Sequence, residues 1–205
     1  MNKLLYVLPL LAAVPLLAQS GPPPAAKGPN IAAITGGNYV TDTHHTQVAW
    51  TISHFGFNDY FGLFGQATGT LSLDKAKPAN SKVKITIPIN EVSSSRADLN
   101  KHLMTADFFD VAKHPTATFE STSVAILPGN KAKITGNLTM LGVTKPVVLD
   151  AMLSGAGNNM MSKKETVGFH ATTSIDRTQW GLSKFAPMLG SKVGLRISVA
   201  FEKVV

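Results

Sequence analysis

The sequence predicts an all-β fold, an eight-stranded antiparallel barrel in up-and-down order with one short helix. Three observations carry this. From Asn38 onward, apolar residues recur with a period of two, the spacing of a strand with one face in a core. Turn-forming segments, "DKAKPANS", "LPGN" and "SGAGNN", separate the apolar runs. One stretch alone changes to helical spacing. Eight strands left open would present unpaired edges, and closure removes them. A barrel of this strand number either fills its interior with side chains or holds one small ligand.

The elements follow in order. "DTHHTQVAWTISHFGF" opens a strand over 38–54, and "GLFGQATGTLSLD" supplies the second over 61–74. "VKITIPI" sets Val83, Ile85, Ile87 and Ile89 on one face of a strand at 82–92, opposite Lys84 and Thr86. "SSSRADLNKHLMTADFF" carries Ser and Asp cap candidates followed by Leu99, Leu103 and Met104, which predicts a helix over 96–104. Strands at 115–127 and 131–141 come next, the latter with Ile134, Gly136, Leu138 and Met140 on one face. The strand at 144–155 contains "PVVLDAML", apolar on both faces and therefore covered twice or part of an interface. Strands at 165–175 and 190–204 complete the set, the last with Val193, Leu195, Ile197, Val199 and Phe201 aligned.

Ahead of the domain (38–205) lie two different segments. Residues 1–20 read as a secretory signal peptide: Lys3, a short proline-broken apolar stretch, and "AQS" as a cleavage site at Ser20. That places the mature protein in the periplasm or outside the cell. The apolar stretch is too short for a stable membrane span. Residues 21–37, rich in Pro and Gly, read as a linker or disordered arm. The chain has no cysteine, so its stability rests on the core, which a chain of 205 residues with 44% apolar residues is able to build. The net charge of +7 is spread over single residues and pairs rather than a basic run, which argues against nucleic acid as partner.

The three histidines of the opening stretch raise the question of a metal. His44 and His54 share a face but lie roughly 33 Å apart along a straight strand, while His45 points away from both. No His-Glu-x-x-His spacing occurs, and no metal site is expected. Catalytic residues are likewise not expected. There is no Gly-x-Ser-x-Gly elbow and no thiol, and the carboxylates are spread singly.

Five stretches in order resemble the YceI-like family of exported, lipocalin-like barrels. These are Asp42, His45, Thr46, Val48, Trp50, Ile52 and His54; "GLFGQATGTLSLD"; "HLMTADFFDVAKHPTATFEST"; "GNLTMLGVTKPVVLD"; and "IDRTQWGLSKF" with "VGLRISVAFEK". The resemblance spans 39–203. It departs at Asn100, where the family usually has Asp, and at Ser191 and Lys192, in place of a Gly-Asp turn.

The resemblance implies a barrel that takes a long isoprenoid chain, a quinone or polyprenyl phosphate, for carriage, storage or sequestration, with no other cofactor. Wall candidates are Phe55, Phe57, Phe61 and Phe64 of the aromatic cluster, Leu71, Ile87, Leu103, Met104, Phe108, Phe109, Phe119, Leu138, Phe169 and Trp180. The aromatic cluster reads as a pocket lid or as barrel-end packing. Phe108 and Phe109, adjacent on irregular chain, can point to opposite sides, as core plug or as ligand wall, and the two roles are not exclusive. Arg96, Lys101 and His102 are the head-group candidates, with a helix-pinning backbone bond as the plainer role for His102. A filled barrel acting as a structural or stress-related interaction protein is the alternative, and an isoprenoid-modifying enzyme a weaker one. The family and the two-sided strand both allow a homodimer.

Overall fold

The computed structural model describes residues 29–204. The expected signal peptide and residues 21–28 of the expected linker lie outside the described residues. The strands are β1 (Gly37–Thr41), β2 (Gln47–His54), β3 (Asn58–Phe64), β4 (Thr68–Leu73), β5 (Lys82–Pro88), β6 (Val92–Ser93), β7 (Thr116–Leu127), β8 (Lys131–Met140), β9 (Val143–Asn158), β10 (Glu165–Asp176) and β11 (Leu189–Lys203), with one α-helix, α1 (Ala97–Leu103). β1 and β2 both pair with β11, β3 and β4 pair with β2 and β1, and β5 and β6 pair with β4 and β3. Each of these three couples is one broken strand. The result is a closed antiparallel barrel of eight strands, sealed where Tyr39, Val40 and Thr41 meet Lys203, Glu202 and Phe201.

The breaks have local causes. Between β1 and β2, His45 Nδ1 lies 2.7 Å from the Asp42 carboxylate and Thr46 Oγ donates to the Asp42 carbonyl at 2.8 Å. The Asp-x-x-His-Thr motif is thus a one-turn kink, and His45 is a polar fixture of it. β3 begins at Asn58, three residues earlier than the sequence suggests, because Phe55 and Gly56 form a tight turn with positive φ at both positions. β9 runs on to Asn158, so "SGAGN" is strand rather than turn. The Ser and Asp cap candidates do not cap α1, whose N-cap is Arg96. Ser94 Oγ instead donates to the Asn100 side chain at 2.7 Å.

One barrel end carries the Phe55–Gly56 turn, α1 with its following loop, and the segment between β10 and β11. The other carries the approach to β1 and the turn between β9 and β10. We call these the upper and lower ends. Two core clusters divide the interior. The upper contains Ile89, Ala117, Phe119, Leu138, Met140 and Trp180. The lower contains Ile34, Tyr39, Leu71, Val167 and Phe201.

Ile34 corrects the expected linker boundary. It is 6% exposed and belongs to the lower core, although its sequence context is Pro- and Gly-rich. Glu165 fixes this entry: it accepts from Thr35 N at 2.8 Å, Thr35 Oγ at 2.6 Å and Tyr39 Oη at 2.5 Å, with Lys203 Nζ at 3.7 Å. Burial raises the Glu165 carboxyl, but the Thr35 and Tyr39 hydrogen bonds and the Lys203 charge outweigh it and leave the pKa below its ordinary 4.5. The Tyr39 phenol is pushed up to about 12, by burial first and then by Glu165.

Two predictions follow from this packing. Because the Glu165 pKa is depressed on folding, its contribution is complete above pH 4.5 and is lost as pH falls through the folded value. Glu165→Gln should cost about 1–3 kcal/mol at neutral pH and flatten that acid limb, as read by urea unfolding from pH 7 to 3. An unchanged acid limb would remove Glu165 from this role. Gly62 lies beneath Trp50, and a Cβ there would sit 2.1 Å from the indole and 2.6 Å from the Ser93 carbonyl. Gly62→Ala should therefore destabilise by about 1–3 kcal/mol.

Candidate functional site

The upper half of the barrel is hollow. The cavity measures about 460 Å³, within the usual range for small-molecule sites. Its side walls are inward-facing strand residues: Val48, Trp50, Ile52 and His54 on β2, Tyr60 and Phe64 on β3, and Val193 and Leu195 on β11. Leu99 and Leu103, one helical turn apart on α1, close part of the upper end. The polar members, His54, Arg96, Asp98, His102 and Arg177, all lie on elements of that end, so depth is apolar and the mouth polar.

Of the residues expected from sequence, Phe55, Phe64, Ile87, Leu103, Phe108, Phe109, Leu138, Arg96 and His102 line this cavity. Phe108 and Phe109 do not point to opposite sides. Both face the cavity, Phe109 edge-on to Phe64 at 5.6 Å and Phe108 edge-on to His102 at 5.1 Å. The remaining candidates do not line it. Phe61 is 65% exposed because strand alternation turns it outward between Tyr60 and Gly62, and Phe57, just past the turn, is 90% exposed. Phe119 and Trp180 are buried in the upper core, where Trp180 Nε1–H donates to the Leu138 carbonyl at 3.1 Å. Leu71 and Phe169 belong to the lower core. Met104 follows α1 outside the wall, and Lys101 lies off the Leu99–Leu103 face, in solvent.

The charges at the mouth are paired among themselves. Arg96 bonds Asp98, holding that carboxyl below its usual range. His102 Nε2 lies 3.0 Å from Asp107 Oδ2, and Lys184 Nζ donates to Asp107 Oδ1 at 3.0 Å. Asp107 therefore joins α1 to the β10–β11 segment, and hydrogen bonds from His102 and Lys184 lower its pKa. His102 is pinned by this carboxylate, not by a backbone bond. Among the described residues no group of three or more metal-binding side chains comes together.

Sequence reasoning missed Trp50, Ile52 and Arg177. The first two share parity with Val48 in "VAWTISH" and were open to discovery on that basis. Arg177 carried no signal. It is 4% exposed, and its guanidinium donates to the carbonyls of Gly190 (2.9 Å), Leu189 (2.8 Å), Lys184 (3.1 Å) and Leu182. Burial lowers its pKa.

These features define a lipocalin-like barrel with an apolar cavity open toward one end. The chain belongs to the YceI-like family: the model of the YceI-like domain matches residues 39–203. A UPF0312 protein of Azotobacter vinelandii is 41% identical over 164 residues, covering 79% of this chain and 85% of the relative. Protein YceI of Salmonella arizonae is 40% identical over 155 residues, covering 76% and 80%. Among solved structures, Burkholderia cenocepacia BcnA matches with a TM-score of 0.68 at 22% identity, over 76% of this chain and 95% of that one. A polyisoprenoid binding domain from Saccharophagus degradans, implicated in plant cell wall breakdown, matches with 0.64 at 14% identity, over 81% and 98%. At these identities the two structures show the shared fold.

Phe55 combines a wall position with a left-handed backbone, φ 54°, which costs a non-glycine residue roughly 1 kcal/mol. Phe55→Asn should raise stability by about that amount while weakening uptake of an apolar ligand. Loss of stability with unchanged uptake would mean that the ring serves packing alone.

Proposed function

We propose that this protein is an exported, non-catalytic binder that holds the isoprenoid chain of a lipid, a quinone or a polyprenyl phosphate, for carriage or sequestration. The observation that carries this reading is the apolar cavity with its polar groups confined to the mouth. Each CH₂ withdrawn from water there is worth roughly 0.8 kcal/mol, so affinity needs no strong polar contact. Membership of the YceI-like family and the likeness to a polyisoprenoid binding domain support the ligand class. Export rests on the signal-like residues 1–20, with cleavage near Ser20 and a periplasmic or secreted destination. Catalysis has less support, since Asp98, the one carboxylate lining the cavity among the described residues, is ion-paired to Arg96. A homodimer is compatible with the outer face of β9, where Val148 and Met152 are 45% and 41% exposed.

A second reading, a filled barrel that serves as a structural or stress-related interaction protein, draws on the packed lower core. Native mass spectrometry of protein purified from its own host, followed by organic extraction, separates the two. The expected result is a stoichiometric isoprenoid lipid whose head group names its class. A protein that is empty, and that also refuses added ubiquinone and prenyl phosphates, would sink the binding reading and leave the filled barrel.

A further inference from the structure

The mouth of the cavity is edged with exposed apolar side chains. Phe57 is 90% exposed and Met188 60%, and neither lines the cavity. Phe55 and Phe185 do line it, yet they are still 46% and 44% exposed. The four sit on two segments that backbone bonds hold together: Phe55 N–H donates to the Met188 carbonyl at 3.0 Å, and Leu189 N–H donates to the Phe185 carbonyl at 2.8 Å. At about 200 Å² for a large side chain, they expose roughly 450 Å² as one patch. On a monomer, an apolar patch of that size commonly marks a contact surface. Phe55 (φ 54°) and Phe185 (φ 59°) also hold left-handed backbone, which Gly or Asn adopts more readily. Stability alone therefore does not select a bulky ring at either position.

We infer that this rim is a bilayer-docking surface: Phe57 and Met188 enter the apolar boundary of a membrane, and Phe55 and Phe185 carry the apolar surface on, without a break, into the cavity wall. The inference rests on the lipid-binding reading above and adds the surface across which the lipid is exchanged. A chain drawn over these rings passes from bilayer to barrel without crossing water, which would otherwise cost it roughly 0.8 kcal/mol for every CH₂ exposed. Attraction to the membrane here is apolar rather than electrostatic. Lys184, the cation beside the patch, is held by Asp107 and lies 5.4 Å from the centre of the Phe185 ring. Asp59 stands on the outward row of β3, two residues past Phe57. The surplus of lysines belongs to the lower end, in Lys75, Lys77, Lys82, Lys131, Lys163 and Lys164. Charge alone would turn that end toward an anionic bilayer and leave the mouth in water. Met160 and Met161 are exposed there as well, but neither lines the cavity. The two orientations are opposite, and continuity with the cavity favours the mouth.

The test is co-sedimentation of the mature protein with vesicles of phosphatidylethanolamine and phosphatidylglycerol, beside a separate measurement of farnesol uptake by quenching of tryptophan emission, since Trp50 lines the cavity. The doubly substituted Phe57→Ser, Met188→Ser protein should bind vesicles about tenfold more weakly or worse. Its farnesol uptake should be unchanged, because neither residue lines the cavity. The lower-end variant Lys163→Glu, Lys164→Glu should bind vesicles as the wild type does. Wild-type binding should survive about 0.5 M salt, which screens charge but not apolar insertion. Vesicle binding that is lost in the lysine variant or in salt, and kept in the Phe57 and Met188 variant, overturns the inference and gives docking to the lower end. A wild-type protein that takes up farnesol but ignores vesicles overturns the docking surface and leaves lipid binding standing. If that protein dimerises, and Phe57→Ser abolishes the dimer, the patch belongs to a second copy of the chain. Failure of the wild type to take up farnesol overturns the lipid-binding reading, and the docking inference with it.

Discussion

β11 forms backbone hydrogen bonds with β10 along one side and with β1 and β2 along the other. That contact closes the sheet, and closure fixes which residue of every strand faces inward. A slip of one residue anywhere would exchange the inner and outer rows of that strand. The kink at Asp42–Thr46 makes closure compatible with the chain's spacing. From Thr41 to Gln47 the first strand spends six steps, while its partners Phe201 and Ser198 on β11 are three apart. The surplus residues form the turn that His45 and Thr46 tie to Asp42. What looks in sequence like a cluster of metal-binding histidines is therefore the joint that lets one strand follow another without losing register.

Given closure, the difference between a filled lower half and a hollow upper half lies in how large inward side chains are laid. The upper half holds Trp50, Phe64 and Phe109, which are not small. Trp50 lies against the wall because Gly62 has no Cβ to hold it off, and Phe64 stacks edge-on with Phe109. Bulk is kept at the periphery, and the axis stays open. In the lower half, Tyr39, Val167 and Phe201 form one packed cluster with Leu71, and Ile34 joins it. The Glu165 cluster holds that plug through Tyr39 and Thr35. Residue size summed along the strands would not have distinguished the two halves.

The strand order, the helix and the closed architecture were legible in the sequence, because period-two alternation reports directly on the physics of a half-buried strand. The wall was legible only where parity was known. Leu138 and Ile87 lie on clean alternating runs and fall in the cavity. Phe61 was misread because the aromatic cluster looked like a loop, and a loop gives no parity. Recognising Phe55–Phe57 as a three-residue turn would have paired His54 with Asn58 and Thr51 with Phe61, which sends Phe61 outward. Leu71 and Phe169 do face inward, but depth along the barrel axis is set by strand stagger, which no single strand encodes. Arg177 was invisible for a different reason: its partners are backbone carbonyls, and carbonyls leave no mark in a sequence.

Arg177 also bears on how the mouth discriminates. Among the described residues no carboxylate lies within ion-pair distance of it, and the nearby Asp176 is occupied by Thr178. Four carbonyls of the 182–190 segment disperse its charge, so the guanidinium holds that segment against the barrel. Arg96 is taken by Asp98, while His102 and Lys184 share Asp107. An anionic head group arriving at this mouth would have to displace a carboxylate or compete with backbone acceptors, and an exposed ion pair exchanged for another gains little. Charge is thus a weak basis for selection here. For the lipid proposed above, the stronger basis is the apolar area of the wall. The polar rim serves instead to pin α1 and the β10–β11 segment over the opening, through Asp107 and Arg177.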